Sequence, residues 1–326
     1  MNLLMIIISI SAIVILLILM FFTFSPFPAA RIMRKLFEKP DISEPDEYDI
    51  IEKSTRVYKE LIYPSNYSDN NLDLYIPENT EGMLPVIIWI HGGAYVGGDK
   101  SDVRYYANML ASEGYAVVSI NYERAPEAHF PVPIVQMGDV YQWLLYVSGR
   151  YSLDMSTIIL AGDSAGAHTA VLFTLIQVDD EYSKKIGLSA QIPSEHIKGL
   201  MLFCGPYDSR KIVAIRGIMG FLIRRAGWAY FGKKNWAEVF DELATVRYHI
   251  KKEMPPVFIT DSNTLSFEEQ AKELAFVLED VGVPVRSFFI DAEHQQTKHE
   301  YQFKMNTQPA KECFERVILF LNELFP

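Results

Sequence analysis

Cysteine is nearly missing from this chain, with only Cys204 and Cys313 in 326 residues. A disulfide framework is therefore excluded. Cys204 falls in an apolar β-run and Cys313 in a helical pattern, so both read as small buried hydrophobes. Positive charge is also in short supply, 30 Lys and Arg against 41 Asp and Glu, for a formal net charge of −11. Nucleic acid requires a basic face for its phosphates and is not an expected partner; an acidic substrate is disfavoured on the same ground. No internal repeat or low-complexity tract interrupts the body of the sequence. What is plentiful is apolar surface, with 49% hydrophobic and 13% aromatic residues, enough to fill the core of one large α/β domain or two smaller ones.

Charged residues are absent from the first thirty positions. From Leu3 to Phe24 only Ser9, Ser11 and Thr23 break the apolar run, and about 20 such residues suffice to cross a bilayer as a helix. Residues 1–30 read as a membrane anchor. A cleaved signal peptide fits less well: the run is longer than an ordinary signal core, no Lys or Arg precedes it, and Pro28-Ala29-Ala30 is a poor cleavage site. Arg31, Arg34, Lys35 and Lys39 follow the span, whereas Met1 and Asn2 bring only the terminal amine. That asymmetry points the large domain toward the cytoplasm.

Residues 40–70 are polar and acidic with Pro40 and Pro45, which predicts a linker running into an amphipathic helix around Ile50 to Leu61, so that 31–70 stands apart from the body of the chain. The pattern then alternates. Strands are predicted at Leu72–Ile76, Pro85–Ile90, Tyr115–Asn121, Thr157–Ala161, Ile197–Cys204, Val257–Thr260 and Val285–Ile290, several of them apolar throughout, as strands covered on both faces are. Helices are predicted at Val103–Glu113, Val135–Tyr146, Ala165–Gln177, Phe267–Val281 and Pro309–Leu324. Such alternation gives an α/β fold with a mostly parallel sheet and helices on both faces, its ligands at the carboxyl ends of the strands. The stretch Ser209 to His249 breaks the alternation and is rich in Ile, Phe, Trp and Tyr; it reads as a helical insertion, at about 209–250, within a domain of 71–326, with an ordinary part of the core as the alternative from periodicity alone.

The chemistry starts at Gly162-Asp163-Ser164-Ala165-Gly166. A nucleophilic serine must stand on a tight strand-to-helix turn, and the flanking glycines let neighbouring chains pass without Cβ clashes. The helix start brings backbone N–H groups beside the reacting carbonyl. Acyl transfer further requires a base, an acid that orients it, and donors for the oxyanion. Asp261 follows the run Val257–Thr260 at a strand end and is the expected acid, with Asp208 as rival. The loop Asp291 to Glu300 holds two possible bases, His299 and His294; His299 is preferred because Tyr301 and Phe303 could wall its imidazole. His168, one turn along the helix from Ser164, would line a pocket or pack. Gly92, Gly93 and Ala94 after Pro85–Ile90, together with Ala165, are the expected oxyanion donors. His91 is expected to brace that loop. Asp291, Glu293, His294 and His299 have no recognised metal-ligand spacing, and neither cofactor nor metal is expected.

These segments, with NYERAPEAHFPVPIVQMGDVYQWL from Asn121 to Leu144, resemble the hormone-sensitive-lipase-like family of α/β-hydrolase carboxylesterases from about Asn71 onward. The resemblance implies Ser164, Asp261 and a histidine of the last strand-end loop as triad, and places Tyr122, Ala125, Pro126 and Glu127 on the family's Tyr-Arg-Leu-Ala-Pro-Glu element. It implies hydrolysis of short- to medium-chain esters beneath a cap made by an N-terminal segment and an insertion such as 209–250, with Phe221, Trp228, Tyr230 and Phe231 facing an apolar group. Three departures stand out: Ala94 replaces a glycine, Ser262-Asn263 replace Pro-Leu after the acid, and the family's His-Gly-Phe falls on His299-Glu300-Tyr301, with Glu300 for the glycine, while the spacing from Gly282 fits His294 somewhat better. The same residues would serve an amidase or formamidase, and a non-catalytic ligand-binding protein of this fold is the reading from another class. Oligomeric state is not encoded in these motifs.

Overall fold

The apolar runs assemble into one eight-stranded sheet in this computed structural model, which describes residues 3–325. Met1, Asn2 and Pro326, the outer ends of the anchor and catalytic segments predicted above, lie outside the described residues. The strands are β1 (Thr55–Ile62), β2 (Asn71–Pro77), β3 (Leu84–Ile90), β4 (Ala116–Ile120), β5 (Leu153–Asp163), β6 (Ile197–Phe203), β7 (Val257–Asp261) and β8 (Val285–Phe289). Their order is β1-β2-β4-β3-β5-β6-β7-β8. β2 runs antiparallel to β1 and β4, and every pairing from β4 through β8 is parallel.

β3, β4 and β7 are buried almost without interruption because both sheet faces are covered. Alternate residues divide between two cores: Val86, Ile88 and Ile90 face one side, Ile87 and Trp89 the other. The helices are α1 (Leu3–Phe24), α2 (Phe27–Leu36), α3 (Tyr48–Lys53), α4 (Arg104–Ser112), α5 (Val132–Tyr151), α6 (Ala165–Val178), α7 (Asp180–Ile186), α8 (Ser209–Ala214), α9 (Gly217–Phe231), α10 (Trp236–Val239), α11 (Asp241–Ala244), α12 (Glu268–Asp280) and α13 (Gln308–Leu324). α5, α6 and α12 pack on the first face, α4 and α13 on the second. Each large side chain so enclosed contributes on the order of 1.5–3 kcal/mol relative to exposure.

The prediction of an amphipathic helix over Ile50 to Leu61 is wrong. Only α3 is helical there, and Thr55–Ile62 forms β1 at the sheet edge. Period-2 alternation was hidden by a bulge: the β1–β2 register shifts between Tyr58 and Leu61, with Glu60 at φ 56°. Residues 31–70 are thus a linker only in part. The insertion is helical as expected, carrying α8 to α11. α2 packs along α9, and Ala30 and Met33 join Ile212, Ala226, Phe231 and Trp236 in a third apolar cluster above the strand ends. α1 is 22 residues long with no buried residue, and it is long and apolar enough to cross a membrane.

Candidate active site

Ser164 occupies the turn between β5 and α6 at φ 49°, ψ −119°, a conformation costly for a residue with a side chain. Its surroundings hold it there. A Cβ on Gly166 would lie 1.9 Å from the Ile90 carbonyl oxygen, and one on Gly162 would lie 2.5 Å from the Gly166 carbonyl carbon. Only glycine at both positions lets β3, β5 and α6 approach this closely. The Ser164 N–H donates to Phe203 O at 2.7 Å, tying the turn to β6.

His299 comes from the loop after β8, and its Nε2 lies 3.0 Å from Ser164 Oγ. His294 does not share this placement: its side chain is 83% exposed and meets only Asp291, at 3.5 Å. The imidazole does not bond Asp261 directly. Its Nδ1 lies 2.6 Å from Ser266 Oγ, and the Ser266 hydroxyl in turn donates to Asp261 Oδ1. Nδ1–H therefore donates to Ser266, which leaves Nε2 to accept from Ser164. Asp261 Oδ1 also accepts from Ser262 N–H at 2.7 Å, while its fully buried Oδ2 has no partner among the described residues. Burial pushes the Asp261 carboxyl up to about 6, opposed by the Ser266 hydrogen bond and the nearby imidazole. Burial holds the His299 pKa below its ordinary value, against the pull of the Asp261 charge. A neutral imidazole beside an ionised Asp261 is the resting state near neutrality. Asp208, the rival acid, instead caps α8 through Arg210 N–H and Lys211 N–H and pairs with Arg247 at 2.6 Å.

The loop after β3 departs from expectation at one residue. Gly92 N–H is not free for an oxyanion, because it donates to Asp163 Oδ2 at 2.7 Å. Gly93, Ala94 and Ala165 keep their N–H groups unbonded among the described residues and line the same cavity as Ser164. His91 braces the loop as predicted: Nδ1 is 2.7 Å from Gly92 O, and the ring stacks on Tyr122. His168 is held between the Tyr95 hydroxyl at 2.8 Å and Ala244 O at 2.7 Å, locking the loop and α11 onto α6.

Two carboxyls stand on the donor side of Ser164. Asp163 accepts from Trp89 Nε1 at 2.8 Å as well as from Gly92. Glu300 sits against it, since a Cβ on Gly92 would meet Asp163 Oδ2 at 2.5 Å and Glu300 Oε1 at 2.9 Å. Glu300 Oε1 also lies 3.5 Å from His299 Nε2. Burial raises both acids, Glu300 to about 7, and each anion would raise the cost of the other, so the pair holds a proton well above the usual carboxylate range. Glu300 adopts φ 59°, where glycine is the usual occupant, so the substitution noted in the sequence keeps the backbone shape and adds an acid. No sequence signal marked Ser266. Cys204, Asp261 and His299 have donor atoms within 4.8 Å of one another, but hydrogen bonds to Ser164 and Ser266 occupy both imidazole nitrogens and leave none for a metal.

Above Ser164 lies a cavity of roughly 290 Å³ walled by Met33, Phe37, Ile212, Ile223, Phe231 and Trp236. α2, α8, α9 and α10 each supply part of that wall. Phe231 faces it as expected, whereas Phe221, Trp228 and Tyr230 do not; Tyr230 instead stacks on Tyr95 at 3.9 Å.

The BD-FAE family model matches residues 72–275. An isoprenylcysteine alpha-carbonyl methylesterase of Arabidopsis thaliana is 29% identical over 163 residues, 49% of this chain and 36% of that protein. A kynurenine formamidase of Salmo salar is 31% identical over 144 residues, 44% of each chain. The matched stretch thus spans less than half of either relative's length. Among solved structures, esterase B from Lactobacillus rhamnosis aligns with a TM-score of 0.75 at 22% identity, covering 87% of this chain and 88% of that one. A bacterial heroin esterase gives 0.69 at 18%, covering 94% and 93%. These likenesses carry the fold alone, and it is the α/β-hydrolase fold. With the family match running through the donor loop, the serine turn and the acid strand, the chain belongs to the BD-FAE family.

Proposed function

We propose that this protein is a membrane-anchored serine carboxylesterase that cleaves esters with apolar acyl or alcohol groups through an acyl-enzyme. The observation that carries the reading is the 3.0 Å contact between Ser164 Oγ and His299 Nε2 beneath an apolar cavity. In the first step Ser164 Oγ bonds to the ester carbonyl carbon while His299 Nε2 takes the hydroxyl proton. The oxyanion is met by the N–H groups of Gly93, Ala94 and Ala165. As the tetrahedral species collapses, the C–O bond to the alcohol breaks and the imidazolium gives that alcohol its proton. Water then attacks the acyl-Ser164 carbonyl with His299 again as base, releasing the acid and restoring the serine.

Asp261 serves as the acid of the triad, acting through Ser266. The hydroxyl accepts from the imidazole and donates to the carboxylate, so the tautomer and ring orientation are fixed at one remove. Met33 and Phe37 in the cavity wall support reading α2 with the 209–250 insertion as the cap. α1 serves as the anchor, and the basic residues that follow it favour a cytoplasmic catalytic domain. The kynurenine formamidase relative favours a second reading on the same residues, in which the scissile bond is a formamide.

The deciding experiment is turnover of a p-nitrophenyl ester series from acetate to laurate by wild type and Ser164→Ala. Loss of turnover in the variant with an unchanged melting temperature supports the reading, and retained turnover refutes it. Side-by-side anilides and formamides divide esterase from amidase.

A further inference from the structure

We infer that the mouth of the cavity lies against the membrane surface, so that the ester enters from the bilayer and not from water. This deepens the reading just given and rests on it. The first observation is a physical link between the apolar span and the cavity wall. Arg225 of α9 donates to Thr23 O in the last turn of α1, at 3.3 Å. After two intervening residues, α2 begins and packs along that same α9. The wall of the cavity is therefore tied directly to the end of the span.

Distances then place the mouth. Met219, which lines the cavity and is 57% exposed, precedes Arg225 by six residues on α9, about 9 Å at 1.5 Å per residue. The interfacial zone outside the hydrocarbon core is roughly 5–8 Å deep on each side. If α1 spans the bilayer, its end sits at that zone, and the mouth sits within one or two helical turns of it.

The surface chemistry around the mouth fits the same neighbour. Leu265 and Phe37, which line the cavity, are 96% and 37% exposed, and Ile218 and Phe221, flanking the cavity-lining Met219 on α9, are 82% and 37% exposed. A rim of large apolar side chains from three separate segments is unusual on a face meant for water. Leu265 is held outward at φ 53°, an uncommon conformation for a branched residue. Around the rim are cations and an amphipathic ring: Arg31, Lys35 and Lys39 are exposed, and Trp228 carries Arg225 and Lys234 over its face at 5.1 and 5.9 Å. On a chain of net charge −11, basic residues gathered beside a span match anionic headgroups, and a half-buried Trp suits the headgroup level.

The substrate class follows. A cavity with a nearly all-apolar wall, opening at headgroup depth, takes an amphiphile whose ester lies just below its polar group and whose chain extends along the wall. The test uses full-length protein in phosphatidylcholine vesicles, with p-nitrophenyl butyrate as the water-borne ester and a short-tethered fluorogenic diacylglycerol as the bilayer-borne one. Ile218→Asp/Phe221→Asp should cut bilayer-borne turnover about tenfold or more and leave butyrate turnover within about twofold, since neither residue lines the cavity. Equal loss on both esters, or no loss on either, overturns the inference while leaving the hydrolase reading intact. No wild-type turnover of butyrate or its amide counterpart sinks the hydrolase reading and this inference with it. A measurement independent of activity is the quenching of a bimane label on Ile218→Cys by brominated acyl chains. Strong quenching is expected; a label reached only from water, or shielded equally with unbrominated lipid by a second copy of the chain, overturns the proposal.

Discussion

The two sides of Ser164 are built from the same materials and do opposite things. On the base side, His299, Ser266 and Asp261 form a single file of hydrogen bonds ending in a carboxylate with one oxygen unpartnered. On the donor side, Asp163 has both oxygens occupied by Trp89 and Gly92 and a second acid pressed against it. Under the proposed mechanism, an unpartnered buried oxygen leaves negative charge available to the imidazolium. A saturated carboxyl with a proton-holding neighbour is a fixture that shapes a backbone loop. Burial raises both acids, so the shift alone does not reveal which one takes part in proton movement; the partners do.

The comparison breaks hardest on the base side. His299→Ala should lower kcat by about 10⁴-fold or more, as the loss of a unit that acts together with the nucleophile does, whereas His294→Ala leaves kcat unchanged; steady-state kinetics on one ester decides between them. Asp261→Asn should cost about 10³- to 10⁴-fold in kcat with little change in KM. Ser266→Ala removes the intermediary and should cost about 10- to 100-fold, with Ser266→Thr restoring much of it and Ser266→Ala shifting the acid limb of the rate profile. If Ser266→Ala is indistinguishable from wild type, the carboxylate reaches the imidazole without help.

The donor side should give smaller effects on rate and a distinct effect on stability. Asp163→Ala removes the acceptor of both Trp89 Nε1 and the Gly92 N–H, lets the loop rearrange and should cost about 10- to 100-fold in kcat through the oxyanion donors. The Glu300 carboxyl is raised to about 7 in the folded chain, so it holds a proton there that the unfolded chain releases near 4. Its contribution to stability is complete below that lower value and disappears as pH rises through about 7. Glu300→Gln should therefore melt a few degrees higher than wild type at pH 8 and no higher at pH 4, by calorimetry. For catalysis the sign differs: a depressed His299 pKa and Asp261 near 6 keep kcat/KM level down to about pH 6, with the acid limb below it.

Much of this was legible without coordinates, for identifiable reasons. The strands β3, β4 and β7 announced themselves because parallel strands covered on both faces are apolar throughout, and the serine turn did so because Gly166 is forced by the approach of Ile90 and Gly162 by that of Gly166. β1 was illegible because a bulge at Glu60 scrambles its alternation. Gly92 was misjudged as a donor because its competitor, Asp163, is seventy-one positions away and reaches it only across β3 and β5. Ser266 left no trace since a serine near a helix start ordinarily reads as a cap, and its role depends on where His299 arrives from the far end of the chain. Local pattern records what neighbours in sequence demand; the partners of a buried polar group are chosen by topology.

The 1.9 Å that would separate a Gly166 methyl from the Ile90 oxygen has one more implication. The Ser164 hydroxyl can be presented in this geometry only when the first turn of α6 is seated against the end of β3, so under the proposed function a half-assembled chain has no nucleophile to expose. A phosphonate that labels Ser164 would thus count finished molecules and pass over the rest, which makes the label a gauge of how completely a preparation of this protein has matured.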